Sequence, residues 1–190
     1  MKLIVGFSKS KKKFPIASWT IRGYQGFTEY SHTYIRLYSK SFPGDHIIHA
    51  SEGKIQRMSE VQFDLRHEVV DEFEIEIPDI MIYNIYRNEE TDLRRLFYDT
   101  IWYYSGDDYS IKQNIGIVIV HLLRVFGIKA SNPWKKGWNC SEFVAVLLKM
   151  IIPEELEHID PNLVLPSDLH KLLISLSESE QITSISRRKP

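Results

Sequence analysis

The sequence predicts an α+β fold, a small and mostly antiparallel sheet packed against helices. Two observations carry that prediction. Runs with period-two alternation, the mark of half-buried strands, fill the first half of the chain. The second half carries apolar residues at helical spacing, and its runs are opened by capping residues or punctuated by Gly and Pro. The 190 residues show no repeat, low-complexity tract or linker, which fits a single domain over residues 1–190.

The strand elements come first. Leu3 to Phe7 is a short apolar strand, and the basic run Lys9 to Lys13 reads as a solvated loop. Residues 15–28 read as a short helix and a loop. Tyr30 to Tyr38 alternates, with Thr33, Ile35 and Leu37 on one face and His32, Tyr34, Arg36 and Tyr38 on the other. A Pro-Gly turn within residues 39–44 leads to a second strand, Asp45 to Ser51, and the hairpin so formed brings His49 within a few positions of His32. Lys54 to Met58 and Val61 to Leu65 read as further strands. Phe73 to Ile77 alternates until Pro78 ends it.

The helical elements follow. Thr91 caps a helix with the stripe Leu93, Leu96, Phe97, Ile101 and Tyr104, broken at Gly106. Ser110 opens a second helix, whose apolar stretch from Ile115 to Phe126 reads as buried, with Gly127 at its C-terminal cap. That stretch is far short of the roughly 20 residues needed to cross a bilayer. A loop over residues 131–137 leads to Asn139-Cys140-Ser141-Glu142, where Asn139 and Glu142 form a capping-box pattern before Phe143, Val144, Leu147, Leu148 and Ile151. Pro153 marks that helix's end. Ser167 caps a last helix through Leu176, and residues 186–190 read as a frayed tail.

Composition narrows the function. The net charge of −1 gives no reason to expect nucleic acid or an anionic membrane as the main partner. One cysteine makes no internal disulfide, and the short apolar start of the chain does not suggest a signal peptide. Neither a cofactor nor an integral membrane segment is expected; localisation and oligomeric state are not specified.

Cys140 is the informative residue. A lone cysteine is ordinarily a small buried hydrophobe, but this one falls in the first turn of a capped helix, where unpaired N–H groups and the dipole favour an anion. That effect shifts a thiol by about one pKa unit, too little by itself against a free-thiol value of about 8.5. A histidine partner is therefore expected. His46, His67, His158 and His170 are accounted for as surface residues and His121 as a satisfied core histidine, which leaves His32 and His49. In this reading His32 takes the thiol proton, His49 orients His32, and the Cys140 N–H with a second donor, Tyr24 or Tyr34, binds the oxyanion. A zinc site from Cys140, His32 and His49 suits the residue types, but the thiol–imidazole arrangement is more economical and no metal is expected. Phosphate-loop, His-Glu-x-x-His and Cys-x-x-Cys patterns are absent.

Tyr-Ser-His-Thr-Tyr-Ile at 30–35, Ile-Ile-His-Ala-Ser at 47–51, Trp-Asn-Cys-Ser-Glu-Phe-Val at 138–144 and Leu-Pro-Ser-Asp-Leu at 165–169 resemble the circularly permuted papain-like proteins. This is the permuted branch of the NlpC-type cell-wall peptidase superfamily, related to lecithin:retinol acyltransferase-like enzymes. The resemblance runs over about residues 3–175, with the histidine strand ahead of the cysteine helix. It implies a permuted papain-like fold with Cys140 as nucleophile, His32 as base and His49 as third polar residue, a position often held by glutamate in the bacterial members. It implies a cysteine peptidase or amidase acting on peptidoglycan stem peptides; with no export signal expected, such a substrate would require another route out, such as release by lysis or packaging in a phage particle. The alternatives are an acyltransferase or lipid amide/ester hydrolase, with Trp134 and Trp138 walling an apolar pocket, and a non-catalytic module of a larger assembly.

Overall fold

The computed structural model describes residues 1–11, 21–26, 28–38, 46–51, 54–84, 89–108, 110–133, 136–179 and 185–188. Strand β1 (Lys2–Ser10) is paired on both sides, antiparallel to β2 (His32–Tyr38) and to β5 (His67–Glu76). Both of its faces are also covered, which is why Leu3, Ile4, Val5 and Phe7 are all buried and form a nearly continuous apolar run. Beyond β2 lie β3 (His46–Ser51) and β4 (Lys54–Ser59); beyond β5 lies β8 (Ile185–Arg188). The antiparallel sheet has the order β4-β3-β2-β1-β5-β8.

One face carries Leu3, Val5, Phe7, Ile35, Leu37, Ile48, Ala50, Phe73 and Ile75 and packs against α4 (Cys140–Lys149) and α5 (Pro166–Glu178). The other face carries Tyr34 and Ile47, covered by Phe63 of the short helix α1 (Glu60–Arg66). Tyr34 lies over Gly6, where any Cβ would run into its ring, so the glycine is what admits the tyrosine. A hairpin of β6 (Met81–Asn84) and β7 (Glu89–Asp92) leads into α2 (Leu93–Tyr104), and α3 (Ile111–Val125) follows.

Several expectations are corrected. Val61 to Leu65 is helix α1, because Ser59 and Gln62 form a capping box that the apolar residues had masked. Lys9 belongs to β1 and pairs with Glu68 at 2.9 Å. Helix α2 is capped by Asp92, not Thr91, through Arg94 N. Helix α5 begins at Pro166, with Asp168 reaching back to Leu165 N, so Ser167 lies inside it. The expected frayed tail contains β8, an edge strand anchored by Arg187 to Asp71. Helix α3 is not wholly buried, since Ile115, Ile119 and Leu122 face outward. The basic residues 12 and 13, the turn at 39–44 and Trp134 lie outside the described residues.

Candidate active site

The cysteine helix starts as its local sequence dictates. Asn139 Oδ1 accepts from Glu142 N at 2.8 Å, and Glu142 Oε2 accepts from Asn139 N at 3.3 Å. Gln113 of α3 donates to Glu142 Oε2 at 2.6 Å, and Ser141 Oγ lies 2.7 Å from Val164 O. The first turn of α4 is thus tied to two neighbouring segments. Upstream, Gly137 (φ +87°) lets Trp138 exchange backbone hydrogen bonds with Asp108 and Ser110 at 2.8 and 2.9 Å. Trp138 packs on Tyr104 and Phe143 and donates to Asp107.

Burial pushes the Glu142 carboxyl up to about 7, against the hydrogen bonds from Gln113 and Asn139 that favour its ionised form. Desolvation outweighs them.

The hairpin of β2 and β3 sets Ile35 opposite Ile48 and Arg36 opposite Ile47. Continued two residues, that register places His49 diagonal to His32 on the same face. The two imidazoles meet there, His32 Nε2 to His49 Nδ1 at 2.8 Å. With Nε2 engaged, Nδ1 is the His32 nitrogen left to take a proton, provided His32 donates and His49 accepts.

A third ring, unforeseen from sequence, completes the cluster. His67, at the start of β5, stacks on His32 with centroids 5.1 Å apart and on Phe63 at 4.5 Å. Its only sequence signal was its position where α1 hands over to β5. Burial drives His32 well below its ordinary value, and repulsion by His49 and His67 adds to this.

Cys140 is 3 % exposed and belongs to the apolar core with Ile35, Ile48 and Phe143. Its thiol is pushed up by burial; the Thr33 amide and hydroxyl and the N–H groups of its own helix start oppose that rise but do not cancel it. The alternation of β2 gives Thr33 to the face carrying Ile35 and His32 to the face carrying Tyr34. Cys140, in the core on the first face, and the imidazole pair, beside His67 and Phe63 on the second, therefore lie on opposite sides of β2. Among the described residues no hydrogen bond joins Cys140 to His32 or His49. Both groups are held neutral at neutral pH, which corrects the expected thiolate–imidazolium pair.

The remaining candidates also find places. Tyr34 donates its hydroxyl to Glu72 at 2.8 Å, so that hydroxyl is already engaged, and Tyr24 packs its ring on His121. His121 Nε2 meets Leu163 O at 3.0 Å, a satisfied core histidine as expected. His170 is not a surface residue; it pairs with Asp71 at 2.8 Å between Phe7 and Tyr30. A small cleft lies between Leu37, Ile48, Arg57, Tyr98, Ile101 and Trp102, and includes none of the three site residues. Among the described residues no group of three or more His, Cys, Asp or Glu is arranged to hold a metal ion.

No family model, curated protein or solved structure matches this chain.

Proposed function

We propose that the chain is a thiol hydrolase of the permuted papain-like kind, cleaving an amide bond through Cys140, His32 and His49, with peptidoglycan stem peptides as the leading substrate. One observation carries this reading: the 2.8 Å contact of His32 Nε2 with His49 Nδ1, next to Thr33, which itself bears on a thiol at a capped helix start. That nitrogen choice leaves Nδ1 of His32 to take a proton, and the reading requires the His32 side chain to turn at the start of β2 toward the face that carries Cys140.

Because both groups rest neutral, His32 acts as a general base during attack rather than holding a preformed ion pair. As the Sγ–C bond forms, the thiol proton passes to His32 Nδ1. His32 then gives it to the departing amine as the C–N bond breaks, leaving a thioester. Water, deprotonated by the same nitrogen, releases the acid and the thiol.

The tetrahedral oxyanion faces the Cys140 N–H. We assign the second donor to Asn139 Nδ2, a fully buried amide nitrogen with no hydrogen-bond partner among the described residues. Leaving such a donor unpaired costs about 1–3 kcal/mol, a cost that a catalytic role would explain. Incubation with labelled peptidoglycan fragments and with acyl lipids tests the reading. Cleavage of the fragments that disappears in Cys140→Ala supports it, and turnover of lipids alone points to the acyltransferase or lipid-hydrolase alternative.

The second reading, a non-catalytic module, is favoured by the buried thiol without a bonded imidazole. Slow alkylation of Cys140 at neutral pH, unchanged in His32→Ala, would establish it.

A further inference from the structure

Strand β4 departs from its own pattern at one position. Its alternation sends Ile55 into the core with α4 and Met58 to the opposite face with Phe63 of α1. Arg57, two residues from Ile55 and opposite Ile48, therefore stands on the core face, where the pattern calls for an apolar side chain. On β3 the same change occurs at His46, two residues before Ile48 and opposite Leu37. The core face thus turns from aliphatic to basic near one edge of the sheet.

Helix α2 covers that part of the sheet and leaves a small cleft, where Ile101 and Trp102 face Leu37, Ile48, His46 and Arg57. Leu37, Ile48 and Ile101 are buried, while Trp102 and Arg57 are exposed at the mouth. The space equals about two or three water molecules, room for the isopropyl end of a small molecule.

Arg57 is held at this mouth by two uncharged partners. Its Nη2 donates to His46 Nε2 at 2.8 Å, and its guanidinium carbon lies 5.6 Å from the centroid of the Trp102 ring. His46 is uncharged in this contact, because an accepting Nε2 carries no proton. Among the described residues no carboxylate pairs with Arg57. A guanidinium so fixed keeps its whole charge and the rest of its donor fork for an anion, with little rotamer freedom still to lose.

We propose that this cleft binds a small branched aliphatic carboxylate, its isopropyl end between Leu37, Ile48 and Ile101 and its carboxylate on the Arg57 fork. A free acid fits better than the C-terminus of a peptide. A peptide would have to pair along the outer edge of β4, and there Ile55 already exchanges hydrogen bonds with Gly106 and Asp107 while Ser59 starts α1. The inference uses none of Cys140, His32 and His49, so it stands or falls separately from the hydrolase reading.

The test is an amide-NMR titration of the full chain, at constant pH, with isovalerate, 3-methylbutanol, acetate and a short acetylated peptide ending in leucine. Saturable shifts centred on β3, β4 and α2, with a Kd on the order of 1 mM for isovalerate, are expected. The alcohol should bind at least ~10-fold more weakly for want of charge, and acetate likewise for want of an apolar end. Arg57→Gln should weaken isovalerate ~10-fold or more with the spectrum still that of a folded chain. Arg57→Lys, which keeps the charge but not the fork, should recover only part of that loss. No saturable shift, equal binding of the alcohol or of acetate, or unchanged binding in Arg57→Gln overturns the proposal. So does tighter binding of the peptide than of isovalerate, which would make the cleft a site for chain ends.

Discussion

Helices α3 and α4 are both rich in aliphatic residues, yet the fold treats them oppositely. Helix α4 is enclosed: Phe143, Val144, Leu147 and Leu148 are all fully buried against the sheet and α5. Among its described aliphatic side chains, helix α3 fully buries Ile117 and Val120 on its inner side and presents a row of equally apolar residues outward. The difference teaches that apolar content fixes how much surface a helix would gain by burying, whereas its neighbours fix how much it does bury. In α4 the enclosure also has a chemical consequence, because it desolvates Cys140 and raises the thiol instead of activating it.

The largest expected effect lies in the enclosed helix. Cys140→Ala should reduce hydrolysis to background with the thermal midpoint nearly unchanged, and residual turnover near wild type would break the assignment of α4 as the reactive helix. Next, Leu147→Ala should cost about 2–5 kcal/mol in denaturant unfolding, whereas Leu122→Ala on the outer row of α3 should change stability by no more than about 0.5 kcal/mol. Equal costs at the two positions would remove the contrast between the helices.

A subtler pair sharpens the start of α4. Asn139→Ala loses the cap and should cost about 1 kcal/mol, while Asn139→Ser keeps a capping oxygen and loses the amide donor. The serine variant should therefore unfold near wild type yet lose ~10²–10³-fold in kcat. A kcat near wild type in that variant would return Asn139 to a purely structural role.

The smallest effect is in pH dependence. Glu142 is raised in the fold from 4.5 to about 7, so its protonated form is the one the fold favours. Its contribution is fully present below about 4.5 and is lost as pH rises through about 7. Glu142→Gln, which keeps the capping pattern, should raise the melting temperature at pH 8 more than at pH 5. His32 has the opposite dependence. Lowered well below 6.5, it contributes stability that is present above 6.5 and lost as pH falls below that value.

Much of the strand layer was legible because alternation records which face is buried. Tyr30 to Tyr38 and Phe73 to Ile77 both read correctly as strands. The capping box at Asn139 was equally plain, since it depends on residues only three apart. The errors fell where a partner distant in sequence decides. Val61 to Leu65 is the exception, where β-forming residues masked a capping box at Ser59 and Gln62 only three positions apart. His170 and the terminal strand were read as surface because Asp71, which holds both, lies about a hundred residues away.

The sequence by itself determined the order of elements, the capped start of the cysteine helix and the nearness of His32 to His49, because all three follow from short-range periodicity and turn geometry. Only the tertiary structure decided that His67 joins the imidazoles, that Thr33 rather than a histidine bears on the thiol, and that half of α3 stays uncovered. Those outcomes depend on which surfaces remain after the sheet and helices have packed, and no local spacing along the chain encodes that competition for burial.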